Sequence, residues 1–269
     1  MGEAKDIVLR PIPAKDANEL VKRVHYSGKV VQNSQLHIGV FYRGKLEGAM
    51  QFGPSLDKRK IQGLVSGTQW HEFIELNRMA FSDNLPRNSE SRALSIAMKL
   101  LRKFAPQIKW VVTFADGTQC GDGTIYRAAG FVLTDIKNNN QLLRMPDGRV
   151  AHKIVFADGN YGATEDKKRY GKPAGLPEGS WLKSIGAEAI LGFQLRYIYF
   201  IDPSYRARLT VPELPYSEIE RRGAGMYKGQ PRGRGETDSA PQSNEETGGA
   251  SPTRPLLDSL TGGMPELIN

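Results

Sequence analysis

The sequence predicts an α/β protein with a mixed sheet flanked by helices, and three observations carry that prediction. Strand-like and helix-like patterns alternate as strand, helix, strand, helix, strand across residues 73–136, an order that calls for a parallel pairing. Two further strand-like runs, His37–Tyr42 and Lys45–Phe52, are separated by Arg43-Gly44, a hairpin turn signal. Two stretches repeat apolar residues at helical spacing with charge on the opposite side.

Taken in order, Ala17, Leu20, Val21 and Val24 form the apolar side of a first amphipathic helix, with Lys15, Asp16, Glu19, Lys22 and Arg23 facing away. It ends before His25-Tyr26-Ser27-Gly28, where Gly28 is a natural terminator. After the hairpin, Phe73–Phe81 reads as a strand leading into the Pro/Asn/Ser loop Ser82–Glu90. A second amphipathic helix follows, with Leu94, Ala97, Met98, Leu101 and Phe104 on one side and Arg92, Lys99, Arg102 and Lys103 on the other. Trp110–Phe114 has the apolar β-type composition of a buried central strand. Thr124–Ala129 is a short helix closed by Gly130, and Phe131–Ile136 is the next strand. Leu195–Phe200 alternates like a strand, with Leu195, Tyr197 and Tyr199 on one side; residues 160–228 read as an extension packed on the same domain.

Composition bounds the function. The chain has 269 residues and a formal net charge of +8. Residues 229–269 are rich in Gly, Pro, Ser and Thr and hold three arginines against six acids, a net −3 that leaves +11 on residues 1–228. Such a tail buries too little apolar surface to offset its ordering entropy, so disorder is expected there, and its removal is expected to leave activity intact. No apolar run approaches the roughly 18 residues of a membrane span. The first residues lack a secretory leader or a myristoylation signal. Cys120, the single cysteine, has no internal disulfide partner and no positive neighbour to activate it. What remains reads as a basic intracellular protein suited to polyanionic partners.

Several residues are candidates for chemistry, each with a plainer role open to it. Ser89 and Ser91 sit where a strand gives way to a helix and read either as helix caps or, with Arg87 and Arg92 flanking, as an anion site. Strict alternation puts Arg78 on the side of Ile74 and Leu76, where a guanidinium needs an anion: a phosphate, a carboxylate of the site, or a structural partner. Asp116 stands at the carboxyl end of an apolar strand, where α/β sheets bind ligands, yet Asp116-Gly117 is equally an ordinary turn. His25 and Tyr26 follow a helix end, where a histidine commonly acts on the helix dipole. His37, His71 and His152 show no spacing that marks a site.

Gly123-Thr124-Ile125-Tyr126-Arg127-Ala128-Ala129-Gly130-Phe131 resembles the tyrosine-bearing short helix and following strand of the GNAT acetyltransferase fold, in which the tyrosine acts near the acyl donor as a general acid. The glycine-rich phosphate loop of that fold is here Arg87-Asn88-Ser89-Glu90-Ser91, without glycine. A wider resemblance runs through His25-Tyr26-Ser27, Leu46–Gly53, Glu75-Leu76-Asn77-Arg78-Met79, Pro86–Ser91, Phe114-Ala115-Asp116-Gly117, Gly123–Phe131, Gln194-Leu195-Arg196-Tyr197 and Gly223-Ala224-Gly225-Met226-Tyr227. These blocks stand in the order found in the Mom family of bacteriophage DNA-modification proteins. The resemblance implies a GNAT-like core in residues 1–228 and an enzyme, located in the cytoplasm of a host bacterium, that converts the exocyclic amino group of adenine in double-stranded DNA to a carbamoylmethyl form and so protects it from restriction. It implies function at His25, Tyr26, Arg78, Ser91, Asp116 and Tyr126 and a link with iron; joined with the anion-site reading, His25, Tyr26, Asp116 and Tyr126 are the expected catalytic groups, Arg78, Arg87, Ser89 and Ser91 the expected donor or phosphate contacts, and His25 and Asp116 the expected iron ligands. The expected cofactor is an activated acyl donor, with glycyl-tRNA and acetyl-CoA both open. The rivals are a DNA-binding protein with an inactive transferase core and a conventional GNAT acetyltransferase.

Overall fold

Arg43 and Gly44 both adopt positive φ, 50° and 77°, the two-residue turn whose twist suits a hairpin. They join β2 (Leu36–Tyr42) to β3 (Lys45–Gly53) in a computed structural model that describes residues 3–118, 121–156, 169–170, 177–227 and 230–231. Cys120 and, apart from Gln230 and Pro231, the tail 229–269 lie outside the described residues. The other strands of the main sheet are β1 (Val8–Pro11), β4 (Phe73–Phe81), β5 (Trp110–Asp116), β6 (Val132–Asn139) and β10 (Gly192–Phe200). Their order is β1-β2-β3-β4-β5-β10-β6. Only β4 and β5 pair in parallel; the remaining neighbours are antiparallel. The mixed α/β architecture is therefore as expected, with one rearrangement. The segment expected as a packed extension supplies β10, which lies inside the sheet between β5 and β6.

Both sides of the sheet are covered. Helix α3 (Ser89–Phe104) buries Ala93, Leu94, Ala97, Met98 and Leu101 in the main core with Met50, Phe52, Leu76, Val111 and Leu195. On the other side α1 (Ala14–Val24) packs Ala17 and Leu20 on Ala49. Beside it α2 (Lys58–Gln62) and the residues after it set Ile61, Leu64 and Val65 over Phe73, Trp110, Val112 and Ile198. Trp110 is fully buried, stacked on Phe73 at 4.7 Å, and donates its Nε1–H to Thr68 Oγ1 at 3.2 Å. Among the described residues no helix is long and apolar enough to cross a membrane.

Two expectations need correction. Gln51 pairs with Arg78 but Phe52 pairs with Leu76, so Asn77 is an extra residue in β4. This β-bulge shifts the alternation by one and turns Arg78 away from Ile74 and Leu76, onto the α1 side with Glu75 and Gln51. At the start of α3 neither serine caps the helix. Asn88, at φ 69°, occupies the cap position without a side-chain cap bond, Ser89 is already the first helical residue, and Ser91 Oγ donates to Asn88 O at 3.3 Å.

Between β6 and β10 the chain builds a small antiparallel sheet from β7 (Leu142–Arg144), β8 (Val150–His152) and β9 (Glu188–Ala189), plus α5 (Glu178–Ser184). Leu143, Met145, Phe156, Trp181 and Leu182 give it a core of its own. Since Gln194 of β10 pairs with Asp116 of β5, this insertion hangs from the end of the sheet that carries Asp116.

Candidate active site

The site begins where β4 and β5 part. They share three pairs, from Phe73 with Trp110 to Glu75 with Val112, although β4 runs on to Phe81 and β5 to Asp116. Past the last pair, Thr113 Oγ1 donates to Leu76 O at 3.3 Å, and then the two edges separate. Backbone N–H and C=O groups on facing, unpaired edges make a slot suited to an extended, amide-bearing ligand.

On the α1 side of this slot the structure brings together His25, Tyr26 and Arg78. The chain leaves α1 at His25, and Gly28, at φ 58°, donates its N–H to His25 O to close the turn. The imidazole and the Tyr26 ring lie 4.1 Å apart. Arg78 Nη1 stands 3.4 Å from His25 Nε2, and Ser27 Oγ lies 2.9 Å from Nδ1. A guanidinium can only donate, and the Ser27 backbone N–H donates to Nδ1 at 3.1 Å, so donors face both ring nitrogens and disfavour a second ring proton. Burial, and secondarily the Arg78 charge, pushes the His25 pKa down to about 3, which keeps the ring neutral at physiological pH.

The sign of this effect gives a pH test. The unfolded chain takes up the histidine proton near pH 6.5 and the folded one near 3, so His25 contributes stability above 6.5 that is lost as pH falls toward 3. Thermal melts between pH 7 and pH 4 should show a smaller acid-induced decline for His25→Asn than for the unchanged protein.

Asp116 closes β5. Its Oδ1 accepts the Thr118 N–H at 3.0 Å and Asn139 Nδ2 at 3.2 Å, so one oxygen shapes the turn. The other has no hydrogen bond among the described residues. Two further groups join this side: Glu75, which opens a family-like block without being singled out for chemistry, and His152, whose spacing marks no site. Glu75, the last residue of β4 paired to β5, is largely buried, and that burial raises its pKa. His152 of the insertion lies within electrostatic reach of both Asp116 and Lys29. The end of the β4–β5 pairing places Glu75 beside the slot and the insertion brings His152 to it, and neither shows as spacing along the chain.

The second group of candidates lies across the sheet. Tyr126 of α4 (Thr124–Ala128) is buried in the main core, its ring 5.6 Å from Phe131 and 5.4 Å from Tyr197. Tyr197 donates from its hydroxyl to Asp122 O at 2.5 Å, fixing the turn that launches α4. At the start of α3, Ser89 is 1% exposed and its Oγ has no hydrogen-bond partner among the described residues; the same holds for Arg92 Nε. Arg87 is exposed directly before it. Buried donors without acceptors at a helix N-terminus suit an anion.

The pair expected to hold iron does not make a metal centre in this arrangement. The Arg78 guanidinium occupies the side of His25 Nε2 where a cation would bind, and both His25 Nδ1 and Asp116 Oδ1 have other partners. Among the described residues no three His, Cys, Asp or Glu side chains converge.

Comparison with known proteins gives the lineage. Solved structures similar to this one include a Bacillus subtilis acetyltransferase in complex with CoA, 9% identical, covering 72% of this chain and 97% of its own at a TM-score of 0.38. Another is the ribosomal-protein-S18-alanine N-acetyltransferase of Escherichia coli, 11% identical, covering 72% of this chain and 94% of its own at a TM-score of 0.39. At such scores they add nothing to the fold already described. Among sequences, the methylcarbamoylase Mom of Escherichia phage Mu is 34% identical over 210 residues, 77% of this chain and 80% of that protein. The model of the Mom protein family matches residues 6–218, so the chain belongs to the Mom family.

Proposed function

We propose that the protein is a DNA-modifying transferase that converts the exocyclic amino group of adenine in double-stranded DNA to a carbamoylmethyl form, shielding phage DNA from restriction in the host cytoplasm. The observation that carries the reading is the division of the site. Potential proton-transfer and guanidinium groups lie on one side of the sheet, an anion-ready helix start and a buried tyrosine lie on the other, and the β4–β5 slot opens between them. Membership in a family that includes a methylcarbamoylase supports it.

In this reading a GNAT-like core receives the donor from the α3 side, its phosphate against Arg87, Ser89 and Ser91. The adenine leaves the stack to reach the α1 side, because its amino nitrogen is inaccessible within the duplex. Asp116 takes the proton that the amino nitrogen loses as it attacks the donor carbonyl. Tyr126 donates to the developing oxyanion or to the leaving group. Arg78 orients the base or a phosphate. A ring whose pKa is near 3 stores protons poorly, so His25 positions Arg78, with Tyr26 stacked on it, rather than serving as the main base.

Product chemistry selects the donor. An acetyl group moved from coenzyme A yields an amide that lacks the second nitrogen of a carbamoylmethyl group. A glycyl group moved from tRNA yields an isomer of the required product. Its free amine attacks ring carbon 6, the original carbon–nitrogen bond breaks, and the former amino nitrogen becomes the carboxamide. The test expresses the protein with a plasmid, digests the DNA and weighs the nucleosides. Modified deoxyadenosine is expected, and ¹⁵N-glycine should label the nitrogen attached to the ring. An acetylated base would replace the glycyl route by acetyl-CoA; unmodified DNA from active protein would defeat the assignment. Ser89→Ala is expected to raise the donor concentration needed for half-maximal rate about tenfold, the loss of one charge-assisted contact.

A further inference from the structure

An adenine that must leave the stack needs something to open the stack, and the molecule carries an outward apolar side chain beside the slot that the chemistry above does not use. Leu56 is 89% exposed at the tip of the segment between β3 and α2. The stalk beneath it is fixed. Gly53 pairs with Glu75 and approaches Asn33 and Asn77 too closely for any side chain, Asn33 Nδ2 donates to Pro54 O, and Ser55 is buried. Glu75 and Arg78 face the same side of β4, so Leu56 stands on the rim of the face that carries Arg78 and His25.

Cations frame this leucine. Lys58, Arg59 and Lys60 form the first turn of α2, with Arg59 and Lys60 exposed. Asp57, the nearest acid, turns back to cap α2 by accepting the Lys60 N–H. Lys58 Nζ lies 4.4 Å over the ring of Trp70, itself 49% exposed, and 5.4 Å over Phe73. Tyr26, half exposed, packs beside His25 on the Arg78 side of the sheet. A protein partner or a lipid surface asks for a broad apolar patch, whereas here Leu56 and the half-exposed Trp70 are separate side chains interleaved with Lys58, Arg59 and Lys60. An apolar wedge flanked by cations is how proteins unstack base pairs while gripping the phosphates on either side.

We propose that Leu56 is a wedge for duplex DNA and that Arg59 and Lys60, with Trp70 and Lys58 beside them, hold the flanking backbone while the adenine turns toward Arg78. This rests on the reading that duplex DNA is the acceptor, and the test separates the two. Full-length protein is titrated with plasmid-derived duplex across a range of salt. Opening is read by permanganate, which attacks thymines whose adenine partners have left the stack. Leu56→Ala is expected to keep DNA affinity within about twofold while permanganate reactivity and adenine conversion fall about tenfold. The double variant Arg59→Ala/Lys60→Ala is expected to bind more weakly at every salt, with the slope of log affinity against log salt reduced by about 1.8, two phosphate contacts' worth. All three side chains are exposed, so folding is expected to survive. Unchanged slope and reactivity in these variants would overturn the wedge while adenine conversion upholds the activity. Opening that depends on Leu56 without any modified adenine would uphold the wedge and sink the activity. A protein that neither binds nor opens DNA overturns both.

Discussion

Asp116→Asn should lower the yield of modified deoxyadenosine by at least about a hundredfold, the lower end of what a positioned proton acceptor contributes. The amide keeps the shape of the carboxyl group. Its oxygen can still accept from Thr118 N, so the turn after β5 survives. What it loses is the capacity to take a proton from the attacking nitrogen. Duplex binding should stay within about twofold, because the cationic rim at α2 is untouched. Nucleoside mass analysis gives the first quantity and a binding titration the second. Full conversion by the variant would move the base elsewhere, and Glu75 is the next group to replace. Its carboxyl group lies on the same side at the mouth of the slot, and burial already pushes its pKa up.

Gly123→Ala should destabilise the fold by about 3 kcal/mol, from a left-handed backbone that disfavours a β-carbon and from crowding in a filled core. Gly123 has φ 85°, and an added β-carbon would stand 2.5 Å from Cε2 of Tyr197. Tyr197 is fully buried and tied to Asp122 O, so its ring has nowhere to retreat. Tyr126 follows three residues later on α4 and packs against Tyr197, so donor-side chemistry should fall along with stability. Gly130→Ala is the control. Its φ is 87°, but the nearest atom to an added β-carbon is Tyr199 Cε2 at 3.8 Å, so about 1 kcal/mol is expected from the backbone alone. Urea titrations of the two variants measure the difference; equal losses would show that the Tyr197 contact contributes nothing.

Much of the scaffold was legible along the chain because its signals are local. The Arg43-Gly44 turn, the apolar stripes of α1 and α3, the bounds of β4 and the Gly130 stop each depend on a few neighbouring residues, and each is where periodicity puts it except Phe104, which ends the α3 stripe 54% exposed. Strand order was not legible. β10 lies 76 residues beyond β5 in sequence, and nothing in its alternation says which strands it joins. The insertion with β7, β8 and β9 was also missed, since two- and three-residue strands carry too little pattern to register.

The site divides the same way. The sequence by itself determined which residues carry reactive groups, a basic balance confined to residues 1–228, and, through ordered motifs, the family. Tertiary structure alone decided which of those groups face one another. A single extra residue at Asn77 turned Arg78 from the α3 side to His25, because side chains alternate with a period of two and one inserted residue reverses the phase of all that follow. The parting of β4 from β5, the nearness of His152 to Asp116 and the rigid stalk under Leu56 likewise arise from contacts between segments far apart in the chain. Local spacing has no access to such contacts, since the energy that sets them comes from packing the whole sheet at once.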